Sequence, residues 1–140
     1  MRRSIALLLI VLLIALFLFN SISYAANEAS LYLSGYTAYI TKSGNTIYIN
    51  YEVLGTRTMD KIGVTEIYLY EKVAGSSTWT PVATYLSTNP NYTSAMIGTN
   101  TGLKMDSVSY SGSSSNQYKA YVTVYAEKDG GSDSRDIVAN

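Results

Sequence analysis

Residues Tyr118–Ala126 read Y-K-A-Y-V-T-V-Y-A, an uninterrupted period-2 alternation. Tyr118, Ala120, Val122, Val124 and Ala126 fall on one face; Lys119, Tyr121, Thr123, Tyr125 and Glu127 fall on the other. One apolar face and one polar-aromatic face define a strand with one side on a core and the other toward water. This stretch predicts a central strand of an antiparallel sheet. The same alternation recurs over Thr46–Leu54, where Ile47, Ile49, Tyr51 and Val53 alternate with Tyr48, Asn50, Glu52 and Leu54. A slip of one residue would drive Asn50 and Glu52 into the core, so the register is strongly specified.

The rest of the chain is punctuated to match. Leu31–Lys42 holds a strand, with Tyr36, Ala38 and Ile40 on one face, and Ser43-Gly44-Asn45 makes a turn after it. Gly55–Lys61 reads as a loop. Ile62–Val73 reads as a third strand, with Ile67 and Leu69 inward and Tyr68 and Tyr70 outward. Thr78–Ser87 is a strand interrupted by Pro81, which lacks an amide proton and so belongs at an edge or a bulge. Tyr92–Thr101 and Leu103–Tyr110 are weaker strands around Gly98 and Gly102. Asp129-Gly130-Gly131 marks a hairpin before a last strand at Ser134–Val138. The expectation is an all-β domain: a single antiparallel β-sandwich of immunoglobulin or fibronectin type III kind, about seven strands, with a small closed barrel as the alternative. Tyr118 opens its strand after the polar loop Ser111–Gln117, the place of a tyrosine corner in such folds.

The N-terminus is an address. Arg2 and Arg3 precede the apolar run Ile5–Phe19, and Ser23-Tyr24-Ala25 supplies small residues at the −3 and −1 positions of a cleavage site. The pattern predicts a helical signal peptide over residues 1–25, cut between Ala25 and Ala26, and a domain over residues 26–140. An uncleaved anchor is the alternative, but the run is short of the ~20 residues a spanning helix needs. The protein is therefore expected to be secreted, released or held at the cell surface, with no membrane contact beyond the signal segment. Cleavage leaves eight basic and ten acidic residues, a net charge of −2.

Composition removes whole classes of chemistry. There is no Cys and no His. Disulfides, thiolate nucleophiles, the usual near-neutral acid–base group and the commonest metal ligand are all missing. No basic stripe is dense enough to track a phosphate backbone, so nucleic acid is not an expected partner. No carboxylate pair stands out for glycoside hydrolysis, and no catalytic residue, cofactor or metal is assigned. Asp129, Asp133 and Asp136 near glycines are the one candidate for a hard cation such as Ca²⁺, but their spacing matches no EF-hand loop and Arg135 sits among them; a solvated hairpin turn is the better account.

Fourteen tyrosines supply the candidate site. If Val122 and Val124 face the core, Tyr121 and Tyr125 face out, and Tyr68 and Tyr70 do the same on the neighbouring strand. Such a face could stack on sugars while its phenols hydrogen-bond at the edge. Tyrosines are also common in strands for their packing alone. Trp79, the only tryptophan, is a second candidate, either as a ligand anchor or as the lid on one end of the core. The reading is a secreted, non-catalytic binding module for glycan, cell-wall polymer or protein, through Tyr68, Tyr70, Tyr121, Tyr125 and Trp79. A structural or adhesive protein that self-associates through sheet edges is the alternative. A small enzyme or inhibitor has the least support.

A set of segments carries a resemblance: Gly44-Asn45-Thr46-Ile47-Tyr48-Ile49, Met59-Asp60-Lys61-Ile62-Gly63, Val108-Ser109-Tyr110-Ser111-Gly112, Tyr118-Lys119-Ala120 and Gly131-Ser132-Asp133-Ser134-Arg135. Together they resemble a group of small exported proteins of unknown function from anaerobic Gram-positive bacteria. The resemblance implies export and an all-β fold; it implies no activity and no site residues.

Overall fold

The computed structural model describes residues 30–140; the predicted signal segment and the Ala25–Ala26 junction lie outside the described residues. Six antiparallel strands make one connected sheet: β1 (Leu33–Ser43), β2 (Thr46–Lys72), β3 (Thr80–Leu86), β4 (Ile97–Ser111), β5 (Gln117–Lys128) and β6 (Gly131–Ala139). A single helical turn, α1 (Thr93–Met96), leads into β4.

β2 organises the sheet. It runs for 27 residues, and every other strand except β6 pairs with it. Along one edge, β1 pairs with its first half and β5 with its second. Along the other, β4 pairs as far as Gly63 and β3 takes over from Glu66. Breaks in register at Leu54/Met59 and at Val64/Glu66 bend the strand, as unpaired extra residues do. The sheet curls into a half-barrel. Its far margin, β6, returns toward β1, where the Ile40 amide donates to the Asn140 carbonyl at 3.4 Å.

The eight stretches read as strands become six, because two breaks in the sequence pattern do not end strands. The predicted loop Gly55–Lys61 is the bend inside β2, and Gly102 lies within β4. At the bend the alternation is lost, since Thr56, Arg57 and Thr58 are all exposed before Met59 is buried. A backbone bond still ties the bend down, the Thr56 amide donating to the Tyr32 carbonyl at 2.9 Å.

The core follows the two alternating stretches. Ile47, Ile49, Tyr51 and Val53 from β2 face Ala120, Val122, Val124 and Ala126 from β5, and all are buried. Ile67 and Leu69 point inward as their pattern requires. Each fully buried branched side chain is worth roughly 1.5–3 kcal/mol of transfer free energy. Pro81 lies on β3, which pairs only with β2, and a register shift sits beside it, so it costs no ladder bond. The β5–β6 hairpin turns through Asp129 and Gly130, both at positive φ, which suits a tight two-residue turn.

The Tyr118 hydroxyl accepts a 2.7 Å hydrogen bond from the Ser113 amide, five residues upstream, and donates to the Glu71 carboxylate. Asn116 adds two bonds, from its side chain to Glu71 at 3.0 Å and from the Ala74 amide to its side-chain oxygen at 3.1 Å. Ser-rich composition suggests a flexible loop here; three side chains pin it instead. Donation from Asn116 and Tyr118 holds the Glu71 carboxyl below the usual range. Tyr118→Phe is expected to lower stability by about 1–3 kcal/mol, since the Ser113 amide and Glu71 both lose a partner. Urea denaturation with an unchanged slope checks it, and a midpoint equal to the parent's would show that water replaces the hydroxyl at no cost.

Candidate functional site

Past Thr65, the outward positions of β2 are Glu66, Tyr68, Tyr70 and Lys72. The inward register of Val122 and Val124 turns Lys119, Tyr121, Thr123 and Tyr125 outward on β5. The two strands are hydrogen-bonded neighbours, with Tyr68 directly opposite Tyr121 and Tyr70 opposite Lys119. Tyr121 also faces Val138 on β6, and Tyr68 faces Thr84 on β3. One row across four strands therefore reads Val138, Tyr121, Tyr68, Thr84. Its apolar members are open: Val138 is 50% exposed, Tyr121 43% and Tyr68 39%.

Tyr70 meets Tyr121 edge to face, with ring centroids 5.6 Å apart and planes at 84°. Such a pair is worth roughly 0.5–1.5 kcal/mol beyond its buried area, so these rings also stiffen the sheet. The Tyr68 hydroxyl donates to Glu66 at 3.0 Å, and the adjacent carboxylate raises the phenol above its ordinary value.

Trp79 sits just before β3, half-buried, and outside the core cluster. The Lys119 ammonium lies 4.6 Å from the centre of its ring and the Lys72 ammonium 5.2 Å. Lys119 also lies 5.6 Å from the Tyr121 centroid and 5.8 Å from that of Tyr70. Cation–π attraction of this kind is worth roughly 0.5–1 kcal/mol at open sites. Trp79, Tyr70, Tyr121 and the two lysines form one cluster, with Tyr68 adjoining it.

Tyr125 is not part of it. It is paired with Gly63 and Ser134, four residues along β5 from Tyr121, a distance of roughly 13 Å at strand rise. Its hydroxyl donates to Glu127 at 2.7 Å, and Glu127 in turn lies 3.5 Å from Lys61. Burial and then the Glu127 carboxylate raise the Tyr125 phenol. These contacts give Tyr125 a local structural role.

The three aspartates of the last hairpin also diverge. Asp136 faces outward and accepts from Thr123 at 2.7 Å; Asp133 lies on the opposite side of β6 and pairs with Arg135; Asp129 pairs with Arg57 at 3.3 Å. Among the described residues no group of acidic side chains converges to hold a metal ion.

Lys72 was legible from the sequence, because it continues the i, i+2, i+4 series of Glu66, Tyr68 and Tyr70. Its approach to Trp79 was not, because that needs the seven-residue connection between β2 and β3 to fold back. No family model matches the sequence, and neither a curated protein nor a solved structure was found to be similar to it.

Proposed function

We propose that this protein is a secreted, non-catalytic binding module that contacts glycan or cell-wall polymer through the outer face of β2 and β5. The observation that carries this reading is the open row Tyr68–Tyr121–Val138, backed by Tyr70 and Trp79. Aromatic and apolar side chains exposed together on a rigid sheet mark an interaction surface. Rings fixed by their neighbours lose little entropy on binding. Export is supported by Arg2, Arg3, the Ile5–Phe19 run and the small residues up to Ala25, and by the resemblance to small exported proteins. A non-catalytic role is supported by a sequence without His or Cys. The sandwich reading of the fold is supported by the two halves of β2, whose inward residues come together in one core.

The test is a pull-down of the purified protein on isolated cell walls and insoluble polysaccharides. Tyr68→Ser/Tyr121→Ser is expected to weaken retention about tenfold or more, in line with truncation of aromatic anchors. Tyr125→Ser is expected to bind like the parent. Equal binding by the Tyr68→Ser/Tyr121→Ser protein, with its fold confirmed by circular dichroism, would remove this face from consideration.

Self-association has one observation in its favour. β4 is 15 residues long, pairs only with β2 among the described strands, and exposes Leu103 and Met105. An open edge of that length is a template for another strand. Light scattering over a range of concentrations decides it: a dimer or larger assembly supports the edge, and a strict monomer discards it.

A further inference from the structure

Five cationic side chains of the described domain, Arg57, Lys61, Lys104, Lys128 and Arg135, lie within ion-pair distance of a carboxylate. Lys42, Lys72 and Lys119 have no such partner among the described residues, and all three lie at one end of the domain, around the Ser113–Tyr118 segment. Lys42 is spent on structure. Its ammonium donates to the carbonyls of Ser114 and Asn116 and lies 5.3 Å from the Tyr118 ring centre. Lys72 and Lys119 are different. Their heads rest on one indole, so their separation cannot exceed the sum of the two distances to its centre.

Two like charges within about 10 Å of each other raise the local positive potential. Neither is neutralised by the acids nearby. Glu71, the partner of Tyr118 across the strands, points inward and is bonded to Tyr118 and Asn116. Glu66 holds the Tyr68 hydroxyl farther along β2. β3 brings Thr80 and Pro81 beside the cluster, both uncharged. A positive pair therefore stands on a domain whose formal charge is negative once the signal segment is removed.

Beside Lys72 lies a shallow groove of about 270 Å³, lined by Lys72, Val73–Ser76, Ser115 and Gln117. Two serine hydroxyls, a side-chain amide and turn backbone offer donors and acceptors suited to sugar hydroxyls. Nucleic acid is poorly matched, because two lysines would neutralise only about two phosphates, far fewer than a sequence-independent backbone binder uses.

We propose that Lys72 and Lys119, held on Trp79, form an anion subsite, so that the ligand of this face is an acidic polysaccharide with its negative groups at the two ammoniums and its ring hydroxyls in the neighbouring groove. This rests on the glycan-binding reading of the same face and names the ligand class.

The experiment is affinity electrophoresis of the purified protein in gels containing polygalacturonate, a sulfated glucan or neutral pullulan, at two salt concentrations. Retardation is expected with the acidic polymers and at least tenfold weaker with pullulan. It should fall steeply as salt rises, since the attraction is between exposed charges. Lys72→Gln/Lys119→Gln should lose at least tenfold on the acidic gels. Lys72→Arg/Lys119→Arg should keep binding, because the charge and the cation–π contact persist. Retardation by polygalacturonate and not by the sulfated polymer, or the reverse, identifies the anionic group. Equal, salt-insensitive binding to pullulan by the parent and the Gln variant, abolished by Tyr68→Ser/Tyr121→Ser, overturns the anion subsite and leaves the aromatic face standing. Retardation on none of the gels overturns the anion subsite, and the aromatic-face reading then stands or falls with the cell-wall pull-down.

Discussion

Gly63→Ala is expected to cost roughly 3 kcal/mol or more, enough to unfold a domain of ordinary marginal stability under mild denaturant. Gly63 has φ +146°, a conformation that side-chain-bearing residues rarely adopt. A Cβ there would lie 2.0 Å from the Met96 carbonyl oxygen, and that oxygen belongs to backbone, which cannot swing aside. Gly63 is paired on both edges, with Ile97 of β4 and Tyr125 of β5, so relief of the clash would break one ladder or the other. Gly44 is the control. It also has positive φ, at +57°, but nothing lies within 4 Å of its would-be Cβ. Gly44→Asn should cost under about 1 kcal/mol, because Asn tolerates that turn conformation. Urea midpoints of the two variants decide the matter. With a slope of about 1.5 kcal/mol/M, Gly63→Ala should fall by about 2 M. A Gly63→Ala midpoint close to that of Gly44→Asn would mean that β4 can move away from β2, and that the crossing is not rigid.

The position of Gly63 also explains where the sequence stops being readable. Period-2 alternation reports which face a residue occupies, and it reported this correctly for Thr46–Leu54 and for β5. Alternation fails wherever a strand twists or bulges, and the same failure marks a loop. Gly55–Lys61 has the look of a connection because Thr56, Arg57 and Thr58 all meet solvent, yet the backbone runs on as strand. Only knowledge of the partners separates the two cases: β4 resumes pairing at Met59 and β5 begins at Lys61. A bent 27-residue strand shared by both halves of the sheet is a tertiary property, and no window of a few residues contains it.

The candidate site divides along the same line. The outward direction of Tyr68, Tyr70, Tyr121 and Tyr125 follows from parity within each strand, and all four do point outward. Which of them meet depends on register between strands. The pairing of Tyr68 with Tyr121 and of Tyr125 with Gly63 puts three tyrosines near one another and the fourth roughly two rows away. A shift of β5 by four residues would have reversed their roles without altering a single face assignment. Trp79 lies in a connection, where neither parity nor register applies. Its place beside Lys72 and Lys119 came only from three dimensions.

Stability is expected to fall steeply above pH 10, through raised tyrosines of which Tyr51 and Tyr85 are the most strongly shifted. Tyr51 is 1% exposed and donates to the Ala95 carbonyl at 3.0 Å; burial, reinforced by the Asp106 carboxylate, raises its phenol well above the usual tyrosine range. Tyr85 is 5% exposed and donates to the Ser109 carbonyl at 2.8 Å; burial, with Tyr92 and Tyr110 beside it, pushes it up to about 12. In the unfolded chain both release their protons near pH 10. Between pH 10 and the folded values the unfolded state binds fewer protons than the native one, so unfolding is favoured as pH rises. The stabilisation is complete below pH 10 and is withdrawn above it, approaching 1.4 kcal/mol per pH unit for each tyrosine. Over the two units to pH 12 the pair withdraws on the order of 5 kcal/mol, comparable with the whole stability of many small domains. The acid limb has the opposite sign. Asp60, Glu71, Glu127 and Asp133 are held below their ordinary values by hydrogen bonds and cations, so their contribution is lost as pH falls below about 4. Urea midpoints from pH 7 to 12, with phenolate absorbance followed in parallel, test the alkaline limb. Tyr85→Phe should lower stability at neutral pH by about 1 kcal/mol for the lost hydrogen bond, yet show a shallower alkaline slope, by up to about 1.4 kcal/mol per pH unit. The slope is the diagnostic, because an offset could arise from any loosened core while proton linkage reads only the groups that titrate. A midpoint that stays level to pH 12 would mean that Tyr51 and Tyr85 ionise in place, and that the core around them admits water.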